Sequence, residues 1–304
     1  MKRKENKLIT INSLSELHKL SGLPKPKNPL IGLINLGDIS IQSQEPLSLV
    51  LNFYTISIKR CFDSKLKYGQ NYYDFDEGVL VFMEPGQIIS YYDCNQQPDG
   101  LWLIFHPDLI RHYPLGKNIK NLGFFSYSVN EALHLSESEE AMVETILKNI
   151  ETEYNHSIDQ YSQDVMVSQL ELLLNYSNRF YNRQFITRKT ASNDLLIKME
   201  ALLDEYFTSG KMLEFGLPTV QQFADKLNLS SNYLSDLLRT LTGQSTQQHI
   251  QNKLIEKAKE ALTTTNLSVS EIAYQLGFGH PQSFSKMFKN KMNVSPLEYR
   301  ASFN

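Results

Sequence analysis

The last 87 residues of the chain contain one pattern of apolar residues twice, and this repeat constrains the fold more than any other feature. The two copies cover residues 219–243 and 268–293. Matching positions lie 49 or 50 residues apart: Val220 with Val269, Ala224 with Ala273, and Leu237 with Met287. Because a stable core does not need the same motif twice, the repeat indicates a function that uses two similar units.

Each copy predicts a helix, a tight turn and a second helix. The first helix begins with a capping box, Thr219 with Gln222 in one copy and Ser268 with Glu271 in the other. Turns follow at 228–230 and at 277–279, where the glycines can adopt a positive φ at no steric cost. The second helix of each copy then has an apolar face with i, i+3, i+4 spacing and an opposite face of short polar side chains.

The polar faces of the two second helices are candidate DNA-reading surfaces. A helix in the major groove reads base edges through Asn, Gln, Ser and Lys, while Lys and Arg further along bind phosphates. The alternative is that both faces are merely solvated, as the outer faces of amphipathic helices usually are. The candidate residues are Ser231, Asn232, Ser235, Asp236 and Arg239 in the first copy, and Gln282, Ser283, Lys286 and Lys289 in the second.

A single amphipathic helix over 245–265 is predicted between the two copies, because its apolar residues recur with helical spacing. At 1.5 Å per residue such a helix spans roughly 25–30 Å. Two recognition helices about one DNA turn apart, ~34 Å, would enter successive major grooves on one face of the duplex. The connecting helix therefore has a suitable length for this arrangement.

These residues resemble a known family. KLIEKAKEALTTT (253–265), VSEIAYQLGF (269–278) and SFSKMFKNKMNVSPLEYR (283–300) look like the AraC/XylS family of bacterial transcription regulators. The resemblance covers about 218–304 and implies two helix-turn-helix units that bind double-stranded DNA. Two departures are Lys253, where the family often has Arg, and Asp236, where a basic residue is common.

The overall charge conceals where DNA would bind. The formal net charge of −3 is the sum of two unlike parts. Residues 218–304 carry nine basic and six acidic residues, whereas 1–217 carry 21 basic and 27 acidic ones. Three lysines lie on the second recognition helix and its end, so we expect the second unit to supply most of the attraction to phosphates.

The rest of the chain predicts an α+β protein with a separate N-terminal domain over 1–186. Residues 1–30 are expected to form a loose arm or an entry strand. Short segments rich in β-branched and aromatic residues over 31–128 predict a small antiparallel β-barrel or sandwich, and helical periodicity follows over 129–186. This order resembles the cupin-like sensor or dimerisation domains found ahead of such DNA-binding modules. Residues 187–217 are predicted to be a linker, polar at 187–194, and a connecting helix.

Two further predictions concern ligands of the N-terminal domain. An effector pocket could be lined by aromatic residues, although an aromatic core is the favoured explanation because aromatic residues are common in strands: Tyr54, Phe82, Tyr91 and Trp102. A metal site is not predicted, since His106 and His112 do not have the spacing of cupin metal ligands, and His106 is expected to be a cap or core residue. The helices over 131–156 and 161–185 are candidates for a homodimer interface.

Several classes of protein are disfavoured by what the sequence lacks. No apolar stretch resembles a signal peptide or a membrane span, and Cys61 and Cys94 are expected to be reduced, so a cytoplasmic location is predicted. No G-x-S-x-G, P-loop, H-E-x-x-H or G-x-G-x-x-G motif occurs, so we predict no enzyme activity and no cofactor. Two alternatives remain: a cupin-type metal enzyme with a helical appendage, and an adaptor that docks a partner such as RNA polymerase.

Overall fold

The chain consists of a unit that contains all the described β-sheet and a unit that is helical. The structure is a computed structural model that describes residues 7–40, 47–60, 67–68, 71–72, 78–91, 99–128, 131–187 and 189–303. The two compact units are Met1–Gln184 and Phe185–Asn304. The predicted α+β class, with a sheet-rich N-terminal part and a helical C-terminal part, is confirmed.

Five antiparallel strands form the larger sheet of the first unit, in the order β10-β7-β4-β9-β2. The central pair aligns Tyr54 with Phe105 and Ser57 with Trp102. Buried β-branched and aromatic side chains fill these strands, as the residue composition predicts. Their bounds are Ile31–Asn35 (β2), Tyr54–Arg60 (β4), Val79–Met83 (β7), Asp99–Phe105 (β9) and Leu133–His134 (β10).

A smaller sheet contains the start of the chain. Strand β1 (Lys7–Ile11) pairs in parallel with β3 (Leu47–Leu51), and β3 pairs antiparallel with β8 (Ile88–Tyr91). Two short strands, β5 (Lys67–Tyr68) and β6 (Asn71–Tyr72), form a separate antiparallel pair. The strands predicted over 31–128 pair antiparallel, but among the described strands the sheets do not close into the predicted barrel, and β1, which precedes that region, adds a parallel pairing.

The N-terminal segment forms the entry strand of the two predicted alternatives, not the loose arm. Strand β1 leads into helix α1 (Leu14–Leu20), whose side chains Leu14 and Leu17 are fully buried. They pack in a core with Leu49 and Trp102. Burial of such a leucine contributes about 1.5–3 kcal/mol to stability. A few buried apolar side chains are therefore enough to attach this mostly polar segment to the core.

Apart from the two-residue strand β10, the described strands end at Phe105, earlier than the residue 128 predicted for the β-rich region. Two short helices follow, α2 (Pro107–Ile110) and α3 (Pro114–Asn118), and both begin with a proline in the first helical turn, where its missing N–H costs nothing. Two long helices then complete the unit. Helix α4 (Glu137–Asn155) begins with the predicted capping box of Ser136 and Glu139, and helix α5 covers Ser162–Thr187.

The four aromatic residues of the predicted effector pocket do not line one pocket. Because side chains alternate along a strand, the register places Tyr54 and Phe82 on one face of the five-stranded sheet and Trp102 on the other. Tyr54 and Phe82 are buried in an aromatic cluster, with Phe82 4.6 Å from Phe124 between ring centroids. Tyr91 belongs to the smaller sheet, and its side chain lies outside the described part of the structure. The two cysteines, Cys61 and Cys94, also lie outside the described residues.

The second unit consists of helices throughout. The segment 187–194 is not the predicted polar linker, because α6 begins at Lys189 and buries Ser192, Met199 and Leu203 within this unit. The helices are α6 (Lys189–Thr208), α7 (Lys211–Phe215), α8 (Val220–Leu227), α9 (Ser231–Thr242), α10 (Thr246–Thr264), α11 (Val269–Gln275), α12 (Pro281–Met292) and α13 (Pro296–Ala301).

Within the described residues, none of the helices combines the length and the apolar character that a bilayer span requires.

Candidate nucleic-acid interface

Both sequence repeats fold as helix–turn–helix units. Helix α8 and helix α11 begin with the two predicted capping boxes, at Thr219 and Ser268. Ala224 and Ala273 are completely buried, since a small side chain lets neighbouring helices approach closely. In the turns, Asn228 and Gly277 adopt positive φ angles of 56° and 78°, whereas the neighbouring Gly279 does not. The two units therefore share the same local design but use different residues for the turn.

The second helix of each unit is oriented by its apolar face. In α9 the side chains of Leu234, Leu237 and Leu238 are buried, and in α12 those of Phe284 and Phe288 are buried. The aromatic residues of α12 extend into a ladder in which successive ring centroids lie 5.4–5.8 Å apart, from Phe278 to Tyr299. Because these faces point inward, the polar residues predicted from the sequence must lie on the outer faces.

On α9 the five candidate residues differ in how they are held. Asn232 is exposed, and the Arg239 guanidinium donates to the Asp236 carboxylate at 2.6 Å. The Ser231 hydroxyl donates to Oε1 of Gln221 on α8 at 2.7 Å. The Ser235 hydroxyl is half-buried and donates to Thr246 at 3.2 Å, which ties α9 to the start of α10. Asn232 and Arg239 are therefore the most accessible groups, while both serines have partners inside the unit.

On α12 all four candidate residues are exposed: Gln282, Ser283, Lys286 and Lys289. Gln282, Lys286 and Lys289 follow i, i+4, i+7 spacing, which places them on one side of the helix. The helix starts at Pro281, and its capping residue His280 makes no side-chain hydrogen bond to the first turn. Helix α12 contains three lysines and no acidic residue, so its outer face is the more electropositive of the two recognition faces.

Three other cationic side chains of this unit form hydrogen bonds or ion pairs within it. The Lys253 ammonium lies 2.5 Å from the Asp204 carboxylate of α6, and this hydrogen bond raises the pKa of Lys253. Lys257 donates to Glu260 at 2.8 Å, and the same contact lowers the pKa of that carboxyl group. The Arg300 side chain donates to the Leu262 carbonyl near the end of α10 at 3.0 Å. These three groups have partners within the unit, whereas Lys286 and Lys289 on α12 are exposed.

Two residues that the sequence analysis missed form hydrogen bonds to the recognition helices or next to them. Asn252 lies on α10, donates to Gln244 after α9 at 2.7 Å, and accepts from Lys291 on α12 at 3.2 Å. Gln221, on α8, accepts from Ser231 and donates to Asp225 at 2.6 Å. Asn252 occupies a polar position of α10 between Ile250 and Leu254, so the sequence pattern gave no signal for it. The position of Gln221 is informative only once the packing of α8 on α9 is known.

The two histidines considered for a metal site have other environments. His106 caps α2, because its Nδ1 atom accepts the Asp108 N–H at 3.1 Å, as the sequence analysis expected. His112 is exposed. Among the described residues, three or more His, Cys, Asp or Glu side chains nowhere come together in a group able to hold a metal ion.

Comparison with known proteins agrees with this geometry. Residues 223–302 match the family model described as a helix-turn-helix domain. The C-terminal domain is an AraC-type helix-turn-helix domain. The matched segment contains most of the first repeat, all of the second, and helices α9 to α13.

Two curated relatives and one solved structure show how far the similarity extends. The chain is 30% identical to the raffinose operon transcriptional regulatory protein RafR of Pediococcus pentosaceus over 48% of this chain and 51% of that protein. It is 29% identical to the transcriptional activator RhaS of Citrobacter koseri over 46% of this chain and 45% of that protein. The chain thus spans about half the length of these relatives.

The solved structure is the C-terminal domain of a two-component response regulator from Fusobacterium nucleatum. It is 33% identical over 34% of this chain and 93% of that domain, with a TM-score of 0.30.

Proposed function

We propose that the protein is a sequence-specific DNA-binding transcription regulator. The observation that carries this proposal is the pair of helix–turn–helix units, each with a polar outer recognition face, joined by the 19-residue helix α10. That helix is about 28 Å long at 1.5 Å per residue. This length is compatible with α9 and α12 entering successive major grooves about one turn, ~34 Å, apart. RafR and RhaS, whose names describe transcription regulators, support the same function.

The recognition residues divide by chemistry into those that would contact base edges and those that would bind phosphates. We propose that Asn232 and Gln282 read base edges, since their amides match the donor and acceptor pattern of adenine, and that Ser283 assists. Lys286 and Lys289 would bind phosphates, which gives affinity without sequence information. Ser231 and Ser235, bonded to Gln221 and Thr246, would orient the first recognition helix.

The first unit would act as a cupin-like sensor and as a dimerisation domain. Support for dimerisation comes from α5, where Tyr161 just before the helix and Val165 and Leu172 within it are 61%, 42% and 42% exposed. Their i, i+4, i+11 spacing places them along one line of the helix surface. Such a stripe suits a second copy of the same helix, because a two-fold symmetric dimer buries identical faces against each other. A small-molecule effector would act through this unit.

The location and a further partner follow from the proposed activity. A regulator of bacterial promoters works in the cytoplasm, where the DNA is. Contact with RNA polymerase would convert promoter binding into activation, and we include it as part of the same proposal.

The experiment that tests this function is selection of bound duplexes from a random DNA pool by the full-length protein. We expect enrichment of one sequence pattern that extends over two adjacent major grooves. Binding of the selected duplex should weaken steeply with salt, because counterions are released when lysines meet phosphates. Failure to enrich any sequence, with the protein folded by circular dichroism, would refute the proposal.

A further inference from the structure

The two recognition helices differ in net charge. Helix α9 contains one basic residue, Arg239, and one acidic residue, Asp236, and these two form an ion pair with N–O separation 2.6 Å. Their side chains are 58% and 29% exposed, so the pair lies on the accessible face. Helix α12 instead carries Lys286, Lys289 and Lys291 without an acidic residue. The first recognition helix is therefore electrically neutral and the second is strongly basic.

A neutral pair on a DNA-facing helix reduces binding whichever way its arginine turns. If Arg239 stays with Asp236, its charge is largely cancelled and it releases no counterion from the duplex. If Arg239 swings to a phosphate, the Asp236 carboxylate loses this ion pair in the negative field of the DNA. Both outcomes remove the sequence-independent attraction that an unpaired arginine would give.

We propose that Asp236 is a positioning residue that restrains Arg239 and suppresses phosphate binding by the first repeat. This inference rests on the proposed function. The second repeat then supplies attraction to any duplex, and the first repeat adds affinity only where its uncharged reader Asn232 finds a matching base. Such a division lowers the affinity of the first repeat for any duplex that lacks the matching base, because non-specific affinity comes almost entirely from phosphate contacts.

The test is Asp236→Asn in the full-length protein, an exchange that removes the charge and keeps the size. Binding is measured by fluorescence anisotropy on two duplexes, one selected by the wild-type protein and one of scrambled sequence, at 50 and 200 mM salt. Freed Arg239 should add one phosphate contact, which steepens the slope of log K against log salt by about 0.9. The affinity gain of the variant should therefore be about 3.5-fold larger at 50 mM than at 200 mM salt.

Two controls separate the ion pair from a general charge effect. Asp225→Asn removes a carboxylate from the same repeat whose partner is the uncharged Gln221, so it matches the change in net charge without releasing a cation. Asp236→Asn is also made in an Arg239→Gln background. We expect a smaller gain from Asp225→Asn, and in the Arg239→Gln background we expect the gain from Asp236→Asn to fall to that same smaller value.

The outcomes distinguish this inference from the function on which it rests. Equal gains from Asp236→Asn and Asp225→Asn would overturn the role of the pair, as would a gain that persists without Arg239. Weaker binding of the selected duplex alone would also overturn it, because Asp236 would then be reading a base such as cytosine. If the wild-type protein selects no sequence at all, the proposed function itself fails.

Discussion

The turn of the second repeat offers a prediction whose size can be worked out from the structure. Gly277 has φ = 78°, and a Cβ atom built there would lie 2.8 Å from the carbonyl carbon of Gly216 and 3.0 Å from the Met212 oxygen. The left-handed conformation costs a residue with a Cβ roughly 1–2 kcal/mol. The close contact adds about 1–3 kcal/mol, the range for overpacking, since backbone atoms cannot rotate away. Gly277→Ala should thus destabilise the helical unit by about 2–5 kcal/mol.

Two other glycines separate the conformational cost from the contact cost. Gly243 has φ = 75° with no atom within 4 Å of a built Cβ, so Gly243→Ala should cost only roughly 1–2 kcal/mol. Gly279 has open space and no positive φ, so Gly279→Ala should be neutral or stabilise by about 0.4–1 kcal/mol through the unfolded state. The three variants form a series in which only the local geometry changes.

The measurement is urea unfolding of the full-length protein followed by circular dichroism at the helix band. Trp102, the one tryptophan of the sequence, lies in the first unit, so its fluorescence monitors that unit in the same samples. We expect the helix signal to shift in the order Gly279, Gly243, Gly277 and the tryptophan signal to stay in place. A Gly277 variant no less stable than the Gly243 variant would refute the close-contact reasoning.

Three further predictions test other features. Lys286→Gln and Lys289→Gln should each reduce the salt slope of DNA binding by about 0.9, measured by anisotropy, and an unchanged slope would remove the residue from the phosphate contacts. Leu172→Glu should shift sedimentation from dimer to monomer, because a buried carboxylate pair is costly at a symmetric interface; a persisting dimer would exclude α5 from it. The pKa values of Glu271 and Glu298 are lowered, first of all by backbone hydrogen bonds in their capping boxes. Their stabilising effect is therefore present above about pH 4.5 and lost as the pH falls through the lowered pKa values, so Gln variants should flatten the acid limb of unfolding curves.

Local features of the second unit could be predicted from the sequence because they depend on residues a few positions apart. The capping boxes at Thr219 and Ser268 each join two residues three positions apart through side chain–backbone hydrogen bonds, and the structure contains both. The connecting helix predicted over 245–265 is observed over Thr246–Thr264. The linker prediction at 187–194 failed, since a polar stretch there forms the first turns of a helix whose buried residues come later, at Met199 and Leu203.

In the candidate site, too, features set by neighbouring residues could be predicted, whereas contacts between distant parts of the sequence could not. The residue types on α9 and α12 could be predicted from helical spacing, because the buried leucines and phenylalanines fix which side faces outward. That Ser235 bonds Thr246, or that Asn252 bridges Gln244 and Lys291, could not, because those partners come from separate helices.

The sequence by itself determined that the chain ends in two helix–turn–helix units joined by a helix, since capping, turns and apolar periodicity are local properties. Only the tertiary structure decided which polar groups are accessible and how strands pair. Tyr54 and Trp102 look alike in the sequence, but the strand register places them on opposite faces of one sheet. The physical reason is that strand pairing and side-chain partnership join distant parts of the chain, where the spacing along the sequence carries no information about contact.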